Sequence, residues 1–174
     1  MTKRDKPDEV VARWMAIPGQ LRRVVRGLPD SRLDVRAGPE GLSIRETVHH
    51  LVEANLVASN IIIAALANSG STYDWTWVNP DASWMRAVGY NKAPIGPALS
   101  TLDALGRHLA ALLSVTTGGL QRTVQLYDAP NAPRYTKTVS QILSDEVAHA
   151  REHLEALPQR RVRGGGPRGR RTRR

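Results

Sequence analysis

Two reciprocal capping signals decide most of what this chain can fold into. At Ser43-Ile44-Arg45-Glu46 the serine oxygen is placed to accept the Glu46 N–H while the glutamate reaches back to the Ser43 N–H, and Thr138-Val139-Ser140-Gln141 repeats the arrangement. The first opens an apolar-periodic run to about Ala67, stopped by Asn68-Ser69-Gly70; the second opens one that ends at Leu157, before Pro158. Two further helices are expected over roughly Asp8 to Gly27, interrupted by Pro18-Gly19, and over Pro97 to Val115, closed by Gly118-Gly119. Strand signals are thin: β-branched residues seldom alternate with polar ones, and Tyr127 to Lys137 is the one segment read as a short irregular strand or hairpin. The pattern predicts an all-α protein, a four-helix bundle with long interhelical loops at 30–42 and 68–93.

A chain of 174 residues supplies one core of ordinary size. Its formal charge of +9 invites a nucleic-acid reading, but eight of the 25 basic residues fall between Arg160 and Arg174, where there is no acid. The remainder carries seventeen bases against sixteen acids, so the basic character belongs to the end of the chain. The expected organisation is a bundle over 1–157 and a disordered Arg-rich tail over 158–174, whose cations would hold nucleic acid nonspecifically through its phosphates. Without cysteine, disulfides, thiolate metal sites and cysteine nucleophiles are excluded, and any metal must use His, Asp or Glu. The first ten residues lack the apolar run of a secretory signal and no stretch reaches the ~18 apolar residues of a membrane span, so the cytoplasm is the expected compartment.

The chemistry-bearing residues are histidines. On a helical wheel of the last helix, Val139, Ile142, Leu143, Val147, Ala150, Leu154 and Leu157 fill an apolar arc of about 140°, and His149 and His153 lie at one edge of it. Four residues apart, their ring nitrogens can converge from successive turns, a spacing that divalent metals exploit. On the helix that starts at Ser43, His50 lies at the rim of the apolar face, while His49 falls in the polar sector with Glu46 and Glu53. Three neutral imidazoles from two helices form a ligand set that leaves positions open for water or substrate. Glu146, about one turn before His149, is expected either to face inward and hydrogen-bond a liganding imidazole or to be a solvated carboxylate at the bundle's edge. His108, alone on the third helix, is expected to be a hydrogen-bonded core residue. His149-Ala150-Arg151-Glu152-His153 lacks the glutamate that the zincin pattern H-E-x-x-H requires at the second position.

Ser43-Ile44-Arg45-Glu46-Thr47-Val48-His49-His50-Leu51, His149-x-x-x-His153, Tyr73-Asp74, Trp84, Tyr90 and the Pro94 to Leu113 helix together resemble the DinB-like superfamily of metal-binding four-helix bundles. Within it the chain is most similar to the YfiT-like metal-dependent hydrolases and bacillithiol-type S-transferases, over about Ile17 to Leu157. The resemblance implies a divalent metal, zinc, nickel, iron or manganese, on His50, His149 and His153, with His49 as the next candidate. Two positions depart from the YfiT-like pattern, which has histidines where Asn55 and Glu152 stand here.

The resemblance further implies a small-molecule substrate, a low-molecular-weight thiol in the transferase case, and a homodimer. The expected function is therefore that of a metal-dependent thiol S-transferase or hydrolase, with Glu146 rather than Glu53 as the catalytic carboxylate. The alternative is a nonenzymatic helical module that binds nucleic acid through its Arg-rich tail. Tyr73, Trp75, Trp77, Trp84 and Tyr90 cluster between the second and third helices. They are expected to plug the end of the bundle, with walling of a substrate cavity as the other reading.

Overall fold

The structure is a computed structural model that describes residues 7–36, 38, 41–78, 81–127, 129 and 132–157. The Arg-rich tail expected over 158–174 lies outside the described residues.

The chain begins with α1 (Pro7–Met15) and α2 (Ile17–Val25), one helical segment broken where the sequence places Pro18. Proline lacks the N–H that would continue the ladder and clashes with the preceding turn. The Ala16 N–H is shared between the carbonyls of Ala12 and Arg13, each at 3.1 Å, which tightens α1 as it ends. A single turn, α3 (Asp30–Leu33), precedes the central helix α4 (Ile44–Ala67). Then come β1 (Ser71–Asp74), α5 (Ala82–Val88), α6 (Ile95–Val115), a 3-10 turn at Gly119–Gln121, β2 (Thr123–Tyr127), β3 (Tyr135–Thr138) and α7 (Val139–Ala156).

Both capping boxes form. Ser43 Oγ accepts the Glu46 N–H and Glu46 Oε2 accepts the Ser43 N–H, while Thr138 and Gln141 make the same exchange at α7. The start of α4 is pinned further by two buried charges. Glu46 Oε1 accepts from Arg36 at 2.6 Å, and Arg45 donates to Asp34 at 2.7 Å and to the Ala93 carbonyl at 3.2 Å. The Asp34 carboxylate raises the Arg45 pKa, so this guanidinium stays charged in its buried place.

Helix α1 packs on α6 and α7, and α4 packs on the same two, which closes a four-helix bundle around Leu51, Ile62, Leu109 and Leu143. By length and apolarity alone α4 could cross a membrane, but it is the core helix of this bundle, and His50, Glu53, Asn55 and Asn60 interrupt its apolar run.

The bundle carries a small three-stranded sheet in the order β1-β2-β3, parallel between the first pair and antiparallel between the second. Only the hairpin was expected, and it extends beyond the 127–137 segment at both ends, from Thr123 to Thr138. Strands of four and five residues are too short for a convincing alternation, although Val124 and Leu126 do alternate inward against the core. The sheet has a positional role. Thr138, the last residue of β3, pairs with Thr123 and caps α7, so strand register fixes where α7 starts.

Asn55 holds α1 to α4. Its Oδ1 accepts the buried Trp14 indole N–H at 2.7 Å, and its Nδ2 donates to the Leu51 carbonyl. Trp14→Phe should therefore leave a buried acceptor unpaired and lower stability by about 1–3 kcal/mol in denaturant unfolding; an unchanged midpoint would show that this bond does not hold the two helices together.

Candidate metal centre

Helical register brings three imidazoles to one point. His50 lies two turns into α4, and His149 and His153 lie three and four turns into α7. His149 Nε2 is 3.1 Å from His50 Nε2 and 2.9 Å from His153 Nε2, and one ligand atom from each of the three rings lies within 4.8 Å of the others. The rings meet edge to edge, with interplanar angles of 67–89°.

Nitrogens bound to a common ion at about 2.0–2.1 Å, with angles between 90° and 109°, stand about 2.8–3.4 Å apart. The two measured contacts match that spacing. Hydrogen bonding alone accounts for them poorly, because His149 Nε2 has one in-plane lone pair or one proton with which to meet two neighbouring nitrogens. The donor set therefore fits a divalent ion held by neutral imidazoles. Burial, followed by the charges of His153 and His149, lowers the His50 pKa to about 4; burial and then His149 lower that of His153. Both rings are thus held in the neutral form that a metal needs.

A cavity of about 350 Å³ adjoins the triad. His50, Glu53, Val57, Ala58 and Ile61 from α4 line one side, and Ile142, Glu146 and His149 from α7 the other. Trp75 and Leu126 close the sheet end. The Trp75 N–H extends the strand ladder to the Tyr127 carbonyl at 3.0 Å, which places the indole in the cavity wall. At the rim, Lys137 pairs with Asp145 at 2.6 Å.

The other sequence-selected residues separate cleanly. His49 turns away from the triad: its Nε2 meets the Ala93 carbonyl at 3.2 Å and its ring stacks on Tyr90. His108, expected in the core, is exposed on α6, because it sits on the polar side of that helix, next to Arg107. Glu146 does line the cavity, but its Oε2 stands 3.9 Å from His149 Nδ1, too far for the expected hydrogen bond, and is buried with no hydrogen-bond partner. Of the loop aromatics, Trp75 walls the cavity, Tyr73 packs against the core, and Trp77 is exposed.

Glu53 is the residue that sequence reasoning undervalued. The helical wheel places it in a polar sector, yet that face of α4 is covered, and Glu53 Oε1 accepts the Trp84 indole N–H from α5. Its position one turn after His50 was the available signal.

No family model matches the chain. YfiT from Bacillus subtilis, described as "a probable metal-dependent hydrolase with an unusual four-helix bundle topology", superposes with a TM-score of 0.75 over 90% of this chain and 87% of its own, at 21% identity. A relative from Geobacillus kaustophilus (strain HTA426), named "putative metal-dependent hydrolase", is 30% identical over 163 residues, 89% of this chain and 86% of the relative. The chain belongs to the YfiT-like metal-dependent hydrolase family. A second relative with the same description, from Geobacillus thermodenitrificans (strain NG80-2), is 26% identical over 90% of this chain and 87% of its own length. The YfiT-like fold, the family and the convergent histidines agree on a divalent-metal centre.

The depressed His50 and His153 pKa values set the pH behaviour of this centre. Unfolded histidine titrates near 6.5. Between about 6.5 and the folded His50 value near 4, the unfolded chain binds protons that the native rings refuse. Stability of the metal-free protein should therefore be full above pH 6.5 and fall as pH drops toward 4. Denaturation midpoints of the metal-free protein across pH 4–8 check this; a flat profile would contradict it.

Proposed function

We propose that this protein binds one divalent ion, zinc, nickel, iron or manganese, through His50, His149 and His153 and hydrolyses a small molecule held in the adjoining cavity. The observation that carries the reading is the approach of His149 Nε2 to both partner imidazoles beside a partly open cavity of about 350 Å³. A divalent ion on three neutral imidazoles supplies Lewis acidity and lowers the pKa of a water or thiol that joins it.

The chain's own residues supply the rest. His50 comes from the buried floor, while His149 and His153 are half-buried, which leaves the approach to the site on the α7 side. Glu146, one turn before His149, lines the cavity and has one oxygen without a hydrogen bond, and we assign it the proton from the nucleophile. Val57, Ala58, Ile61, Leu126 and Ile142 exclude water from the substrate's apolar part.

Those apolar walls also suit a second reading, transfer of a small thiol to an apolar electrophile, because a thiol and its acceptor are less hydrated than ionic substrates. Both readings need the same ion and the same proton acceptor. They part on the co-substrate: hydrolysis proceeds with water alone, and transfer requires added thiol.

Purified protein should carry about one divalent ion per chain by elemental analysis, and His149→Ala or His153→Ala should lose it. Glu146→Gln should keep the ion while turnover of small esters, amides or thiol–electrophile pairs falls at least about 100-fold. Protein that is metal-free, with stability indifferent to the histidine substitutions, would overturn the reading and favour a nonenzymatic bundle.

A further inference from the structure

The core-facing side of the small sheet carries a lysine. Strand register sets Lys137 opposite Val124 and Tyr135 opposite Leu126. Residues directly opposite one another in an antiparallel pair project to the same side, so these four share one face. Val124 and Leu126 are buried in the core, whereas Thr136, on the other side of β3, is exposed. Packing alone would call for an apolar residue at position 137, because a charge brought among apolar side chains loses hydration.

Lys137 lines the cavity together with Tyr135, Leu126 and Asp145, and its side chain keeps 34% of its surface in contact with solvent. The ammonium is held at two points: Nζ donates to Asp145 Oδ2 at 2.6 Å and lies 5.4 Å from the centre of the Tyr135 ring. An ammonium has three N–H donors, more than one carboxylate oxygen occupies. The bond to Asp145 is itself exposed, and exposed ion pairs add little stability, so an incoming anion can join Lys137 or displace Asp145 at small cost. Asp145 precedes His149 by four residues on α7, which sets the pair one helical turn, about 6 Å along the axis, from the triad. Apart from the histidines, Lys137 is the one basic residue among the described residues that line the cavity.

We propose that Lys137 is a specificity-determining residue of the cavity, which selects small molecules whose apolar body ends in an anionic group such as a carboxylate. Lys137 holds that group at the rim while the rest of the molecule reaches toward the triad. The assignment rests on the proposed use of this cavity as the substrate site. Glu53, Asp145 and Glu146 also line it, so preference for a cation is the competing outcome.

Three probes of one chain length test it on the metal-loaded protein: hexanoate, hexanamide and hexylammonium. In ligand-observed NMR titrations hexanoate should bind at least about fivefold more tightly than hexanamide, and hexylammonium more weakly than either. Lys137→Met keeps an apolar stem of similar length and removes the charge, so the preference for hexanoate should vanish with ion content unchanged. Asp145→Asn removes the negative charge beside the bound carboxylate, so hexanoate should bind at least about twofold more tightly than it does to the wild type. A lysine that only covers apolar surface with its stem would produce neither change. Equal affinity for hexanoate and hexanamide, tighter binding of hexylammonium, or failure of all three to bind overturns the proposal. So does a preference for hexanoate that survives in Lys137→Met, which would put the carboxylate on the ion, or an Asp145→Asn protein that binds hexanoate no more tightly. Elemental analysis of the same samples reports separately on the metal centre: metal-free protein that still discriminates through Lys137 would sink the centre and leave this site standing.

Discussion

Imidazole nitrogens carry their lone pairs in the ring plane, so rings set edge to edge with nitrogens about 3 Å apart repel one another unless a proton or a cation lies between them. In this protein His149 meets two such neighbours at once, His50 across the bundle and His153 along its own helix. Much of the remaining architecture holds that crowded arrangement. The Ser43 capping box and the buried Arg45 and Glu46 fix the rotation and start of α4; the Thr138 box at the end of β3 does the same for α7. An error of one residue in either start would rotate its histidines by about 100°. The two boxes therefore help to position the histidine triad, although neither touches it.

Around the centre, polarity is distributed unevenly. Each helix that supplies a histidine of the triad also supplies a carboxylate three residues away, Glu53 after His50 on α4 and Glu146 before His149 on α7. The rest of the wall is mainly apolar, with Trp75 and the sheet closing one end. The aromatic segment between β1 and α6 serves this arrangement in two ways: Trp75 forms wall, and Trp84 and Tyr90 hold Glu53 in place.

What could be seen beforehand follows from which forces are local. Capping and helical periodicity act within one helix, so the sequence shows the limits of α4 and α7 and the inward edge that carries His50, His149 and His153. The sheet was largely hidden, because β1 pairs with β2 across some fifty intervening residues and neither strand is long enough to declare itself. Glu53 and His108 were misplaced for a shared reason. A wheel measures angle from the apolar arc of one helix but says nothing about what covers its other side. On α4 that side is covered by α5 and Tyr90, so a nominally polar position became a wall of the cavity; on α6 none of the described residues covers His108, so an expected core histidine is exposed.

The most direct test of the central claim is X-ray absorption spectroscopy at the edge of the ion that the protein carries. The account predicts three nitrogen neighbours at about 2.0–2.2 Å with imidazole multiple scattering, completed by light-atom ligands from solvent, and loss of that signature when His50, His149 or His153 is replaced by alanine. A bound ion whose spectrum lacks three imidazoles, or is indifferent to those substitutions, would contradict it.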